Sequence, residues 1–190
     1  MNSTMYSHRT HVDRQVGDYR FDCVLMVGYF LKRAAPEANT EMRARLKIRP
    51  GYVPSPRNLT RFFESLPVGR DSAWHRVVNI NDVMPGDIVV IPPAVEGRPG
   101  HAVVIASEPT TLPNFGYAVL VYDSTAAPHG RSDTRRTDPR NQPLPSGKPS
   151  GLGRGYMEIT VTDDELIDRI RWSVAGRFTG LPIRIARPLG

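Results

Sequence analysis

Phe21-Asp22-Cys23-Val24-Leu25-Met26-Val27-Gly28-Tyr29-Phe30-Leu31-Lys32 is apolar for most of its length and ends in Lys32-Arg33, ahead of Pro36. It is too long for an ordinary strand of about 5–6 residues and reads as a buried helix. Asp22 is a natural N-cap, which puts Cys23 in the first turn, and the two basic residues fall where the helix dipole favours cations. Outward from this stretch the texture changes. A second helix is predicted over Asn58 to Leu66, with Asn58 as cap and Leu59, Phe62, Phe63 and Leu66 on one side. Beyond it the chain reads as β-structure. Trp74 to Ile80 is a strand, Met84-Pro85-Gly86-Asp87 a turn, and Ile88 to Ile91 a strand stopped by Pro92-Pro93. His101 to Ala106 and Tyr117 to Tyr122 are continuous apolar runs, as expected of central strands covered on both faces. Met157 to Val161, Ile167 to Val174 and Pro182 to Ala186 complete the set. Ala126 to Gly155, rich in Pro, Gly, Ser and Arg, reads as a long flexible loop without a core. A cysteine-bearing helix followed by a mostly antiparallel sheet is an α+β arrangement.

With 190 residues, a single domain spanning 1–190 is expected. The single cysteine excludes an intramolecular disulfide, so the core alone must hold the fold. Met1 to Asp22 has no apolar leader, and no stretch approaches the roughly 18 apolar residues of a membrane span. The expectation is a chain without a membrane partner, either cytoplasmic or exported without a signal peptide. The net charge of +6, with a pI near 9.8, would attract polyanions. The arginines are scattered, however, with no lysine-rich run, zinc-finger spacing or helix-turn-helix, which argues against nucleic acid as the partner.

A free cysteine is most often a packing residue. In the first turn of a helix, however, unpaired N–H groups and the dipole favour a thiolate and can hold an oxyanion. Such a nucleophile needs a base. Among His8, His11, His75, His101 and His129, His101 stands out because it opens an apolar strand directly after Arg98-Pro99-Gly100, at a sheet end. Asp123 ends the next strand and is placed to accept from the other imidazole nitrogen; it also suits an Asx-type cap of the following turn. His129 is the alternative orienting residue. Arg131, Arg135, Arg136 and Arg140 follow Asp123 and could meet a carboxylate-bearing substrate such as an acidic peptide. No cluster has the spacing of a zinc site, and the chemistry calls for no cofactor.

Asp22-Cys23 at the head of an apolar helix, Met84-Pro85-Gly86-Asp87-Ile88-Val89-Val90, Gly100-His101-Ala102-Val103-Val104-Ile105 and a following strand with a polar end resemble, in that order, the NlpC/P60 superfamily of papain-like cysteine hydrolases. The likeness covers roughly Tyr19 to Thr125. It implies a papain-like fold with a helix-borne nucleophile packed on an antiparallel sheet. The implied site is a Cys23–His101–Asp123 triad acting on an amide or peptide bond, most often in bacterial peptidoglycan, with substrate contacts around Asp22 and an upstream tyrosine, Tyr19 or Tyr6. The chain departs from the family in having Val24-Leu25 where Ser-Gly is usual and Asp123 where His, Asn or Gln is common. The order Cys, His, Asp also resembles transglutaminase-like enzymes, which implies acyl transfer. A binding domain keeping the fold without turnover is the non-enzymatic alternative and expects an unreactive Cys23.

Overall fold

A computed structural model of the chain describes residues 1–93, 99–114, 116–174, 176 and 180–190. Three short strands come first, β1 (Ser3–Tyr6), β2 (His11–Asp13) and β3 (Asp18–Phe21), in a sheet with β3 central, parallel to β1 and antiparallel to β2. Helices α1 (Cys23–Ala34), α2 (Pro36–Arg45) and α3 (Pro56–Ser65) follow. The large sheet is then built from β4 (Gly69–Asp71), β5 (Trp74–Val77), β6 (Ile88–Ile91), β7 (His101–Ile105), β8 (Thr110–Thr111), β9 (Tyr117–Thr125), β10 (Gly151–Val161), β11 (Ile167–Arg171), β12 (Leu181–Pro182) and β13 (Arg184–Pro188). Its order is β12-β11-β10-β9-β7-β6-β13-β5-β4, with β8 added to β9, and every pairing in it is antiparallel. The α+β class expected from the sequence is the class observed.

The strands alternate between two cores. Along β6, Ile88 and Val90 join a cluster with Met26, Met42, Leu59, Phe62, Phe63 and Trp74 under the helices, while Val89 and Ile91 join Val103, Ile105, Val119, Val121, Met157 and Ile185 on the opposite face. Period-two geometry sends successive side chains to opposite faces, so a run apolar at every position needs cover on both. The far ends of the sheet also meet: Ile167 N–H donates to Val78 O at 2.9 Å and Ile80 N–H to Glu165 O at 3.1 Å. The sheet therefore curls around the second core.

Several local expectations change. The cap of α3 is Ser55, whose hydroxyl accepts from Asn58 N, while Asn58 Oδ1 accepts from Ser55 N at 3.0 Å; Asn58 is the third helical residue of a capping box, not the cap. Helix α2 has no counterpart in the sequence pattern because Pro36-Glu37-Ala38-Asn39-Thr40-Glu41-Met42 has no apolar stripe; only Ala38 and Met42, one turn apart, are buried. The strand expected over Trp74 to Ile80 ends at Val77, and a 3-10 turn takes Ile80–Asp82. The one expected over Ile167 to Val174 ends at Arg171, and the last runs from Arg184 to Pro188, with Pro182 in β12. Arg98 lies outside the described residues. The Pro-Gly-Asp turn is a structural lock: buried Asp87 accepts from Met84 N and from Arg187 Nε at 2.6 Å, tying the entry of β6 to β13.

Candidate active site

Cys23 is the first residue of α1. The cap forms as the sequence predicts, with Asp22 Oδ1 accepting from Leu25 N at 2.9 Å. This leaves the thiol at the positive end of the helix, 6 % exposed. Helix α1 packs against β7 and β9, so its N-terminus reaches the end of the sheet where β7 begins and β9 finishes. Gly100 allows β7 to start there: a Cβ at that position would lie 2.5 Å from Pro56 Cβ and 2.6 Å from Ile91 O.

The β7–β9 ladder pairs Val104 with Tyr122 and Ile105 with Val121. Past it the strands are bridged by side chains, His101 Nε2 standing 2.5 Å from Asp123 Oδ2. Cys23 is a hydrogen-bond and charge partner of the same imidazole. Burial disfavours the charged ring, but the hydrogen bonds of Asp123 and Cys23 and their charges outweigh it, and His101 is raised to about 10. Burial also pushes the carboxyl of Asp123 up, and the charges of His129 and Arg135 with the hydrogen bonds of His101 and His129 override it, holding the group well below the carboxylate range. Cys23, His101 and Asp123 are thus brought together, with Asp123 the residue directly on His101.

The stretch 126–155, expected to be a coreless loop, supplies the rest of the cluster. His129 is buried, with Nε2 3.0 Å from the same Oδ2 of Asp123 and Nδ1 2.9 Å from Trp172 O. Arg135, whose side chain is wholly buried, donates to Asp123 Oδ1, to Asp123 O at 2.6 Å, to Asp133 Oδ2 at 2.7 Å and to Gly151 O at 2.8 Å. Asp133 Oδ2 in turn accepts from His129 N at 2.7 Å. Room for these groups comes from glycines on β10. A Cβ on Gly153 would lie 2.6 Å from Arg135 Cγ, and one on Gly155 would lie 2.8 Å from both Asp133 Oδ2 and His129 Cβ. The alternating Gly151-Leu152-Gly153-Arg154-Gly155 is the sequence signal for this cluster: glycine at every second strand position leaves one face bare for something to fill.

The other named residues fall differently. Tyr19 packs edge-on against Phe21 and Tyr29, with ring centroids 6.4 and 6.3 Å away. Tyr6 is the tyrosine near the thiol: burial, then the charges of Cys23 and Asp22, push its hydroxyl up to about 12. Asp22 is spent on the cap and on His8, whose Nδ1 lies 3.1 Å from Oδ2. Arg131 is exposed; Arg135 is the arginine of the cluster. Trp172 covers both imidazoles, its ring centroid 5.0 Å from that of His101 and 4.4 Å from that of His129. Donor atoms of His101, Asp123 and His129 lie within 4.8 Å of one another, close enough for a cation, but Oδ1 of Asp123 already holds a guanidinium and both imidazoles are engaged with Oδ2. The donor set fits internal hydrogen bonding better than a metal.

No family profile and no solved structure matches this chain. It is similar to an uncharacterized protein of Acanthamoeba polyphaga mimivirus, 28% identical over 155 residues. The match covers 67% of this chain and 65% of that protein, so the chain spans slightly under two thirds of its relative. Among the described residues, no helix is long and apolar enough to cross a membrane.

Proposed function

We propose that the protein is a papain-like cysteine hydrolase of NlpC/P60 type that cleaves an amide or peptide bond through Cys23, His101 and Asp123. One observation carries the reading: the chain's single cysteine sits at a helix N-terminus against an imidazole whose other nitrogen is held by a buried carboxylate. In the reaction, the Cys23 thiolate attacks the amide carbonyl and forms the C–S bond. The oxyanion draws on free N–H groups of the first turn of α1, including that of Cys23. His101 protonates the departing amine, then takes a proton from the water that hydrolyses the thioester, releasing the acid and restoring the thiolate. Asp123 fixes the ring's orientation and tautomer. Tyr6, beside the thiol, is placed to border the substrate. Peptidoglycan-like peptides are the substrate class implied by the resemblance. Because the orienting residue is an aspartate, transglutaminase-like acyl transfer to an amine is the second reading.

Iodoacetamide labelling tests the nucleophile. Fast alkylation of the native protein near neutral pH, lost in His101→Ala, is expected. A thiol inert until denaturation would sink the proposal and favour a binding domain. Muropeptide release from purified peptidoglycan, against incorporation of a labelled amine into protein, separates the two enzymatic readings.

A further inference from the structure

Asp123 has more partners than orienting one histidine requires. Its Oδ2 faces Nε2 of His101 at 2.5 Å and Nε2 of His129 at 3.0 Å, and its Oδ1 faces Arg135. The other nitrogen of His129, Nδ1, faces the backbone carbonyl of Trp172 at 2.9 Å. A carbonyl oxygen only accepts, so Nδ1 must carry a hydrogen. A carboxylate only accepts too, and Asp123 is paired with Arg135 through Oδ1 and with His101 through Oδ2 independently of His129, so Nε2 must carry one as well. We propose that His129 is a positioning residue protonated on both ring nitrogens, a buried imidazolium that fixes Asp123 and, through it, His101.

The surroundings of His129 agree. The groups that face it are Asp123 from β9, Asp133 and Arg135 from the turn ahead of β10, His101 from β7 and Trp172 beyond β11. The pairs are wholly buried: Arg135 is shared between Asp123 and Asp133, and Asp123 also faces His129. The indole of Trp172, 4.4 Å away centroid to centroid and tilted by 44°, offers the π-surface that a cation prefers. A proton on both nitrogens also locks the ring, since neither tautomerisation nor a flip can leave both acceptors served. The carboxylate is then gripped from both ends and cannot swing away from His101.

The protonation claim stands on hydrogen-bond geometry; the positioning role rests on the hydrolase reading. Two measurements on the full chain keep them apart. Long-range proton–nitrogen NMR at pH 8 is expected to show, beside the ring of His101, a second histidine with both ring nitrogens protonated, identified by its loss in His129→Gln; a single bare nitrogen on that ring overturns the imidazolium. His129→Gln also keeps a donor toward Asp123 while removing the charge. Loss of a nearby cation disfavours the thiolate, so the pH midpoint of Cys23 alkylation is expected to rise by about 1 unit, with the plateau rate kept. A lowered plateau with an unmoved midpoint overturns the positioning role in favour of a merely structural one. Wild-type Cys23 inert to alkylation overturns the nucleophile and the positioning role with it, and is told apart from failure of the imidazolium because the NMR signature needs no reactive thiol.

Discussion

His101 gains its charge from its neighbours, and the cost of losing them is readable in stability. Hydrogen bonds and charges from Asp123 and Cys23 override burial and raise it to about 10. An unfolded histidine titrates near 6.5, so the folded value lies above the unfolded one. The stabilisation is therefore complete below pH ~6.5 and is lost as pH rises through about 10. The thermal midpoint of the wild type is expected to fall across that window. The fall should flatten in His101→Asn, which does not titrate, and scanning calorimetry over a pH series decides it. Single residues were legible where an element boundary gave them away: Cys23 heads a helix, His101 opens a strand and Asp123 ends one. His129 and Arg135 were hidden because their stretch lacks large apolar residues and composition alone sends such a stretch to solvent. Here polar groups satisfy one another instead. Between Tyr6 and Tyr19 the sequence had no discriminating signal, since both belong to short, half-buried strands that follow neither helix nor sheet pattern closely.

At the level of elements, the site depends on β10 as much as on α1. The bare face left by Gly153 and Gly155 is filled by Arg135, Asp133 and His129, so strand and cluster are mutually required. Gly153→Ala would drive a methyl group to 2.6 Å from Arg135 Cγ. Overpacking of this kind costs about 1–3 kcal/mol. Because Arg135 also grips Asp123, alkylation of Cys23 is expected to slow along with the loss of stability in urea titrations. Unchanged stability and reactivity would mean the arginine can move aside freely. Helix α1 and the buried strands β6, β7 and β9 were readable because an unbroken apolar run is unfavourable in water and must belong to a covered element. Helix α2 and strands β1 to β3 bury two residues at most and β2 none, too few to leave a period in the sequence.

On the scale of the whole molecule, the large sheet is joined across its middle by a late segment. Strand β13 lies between β6 and β5, pairing Ile185 with Val89 on one side and with Val77 on the other. Removing residues 184–190 would leave both neighbours with open edges and take Ala186 and Ile185 out of the two cores. Such a truncated chain is expected to lose its near-ultraviolet circular dichroism and to aggregate; a soluble, native-like product would show that the sheet tolerates the gap. The α+β class was visible from the order of apolar runs, but strand order was not, because β5 and β13 are more than a hundred positions apart and nothing local records that they pair. That separation also sets a sequence of events during synthesis. The cysteine-bearing helix leaves the ribosome before any strand of the large sheet, whereas the strand that makes that sheet continuous leaves it after the other described strands. The growing polypeptide therefore carries its thiol, and the unpaired borders of β5 and β6, until β13 has been made and the architecture around them can close.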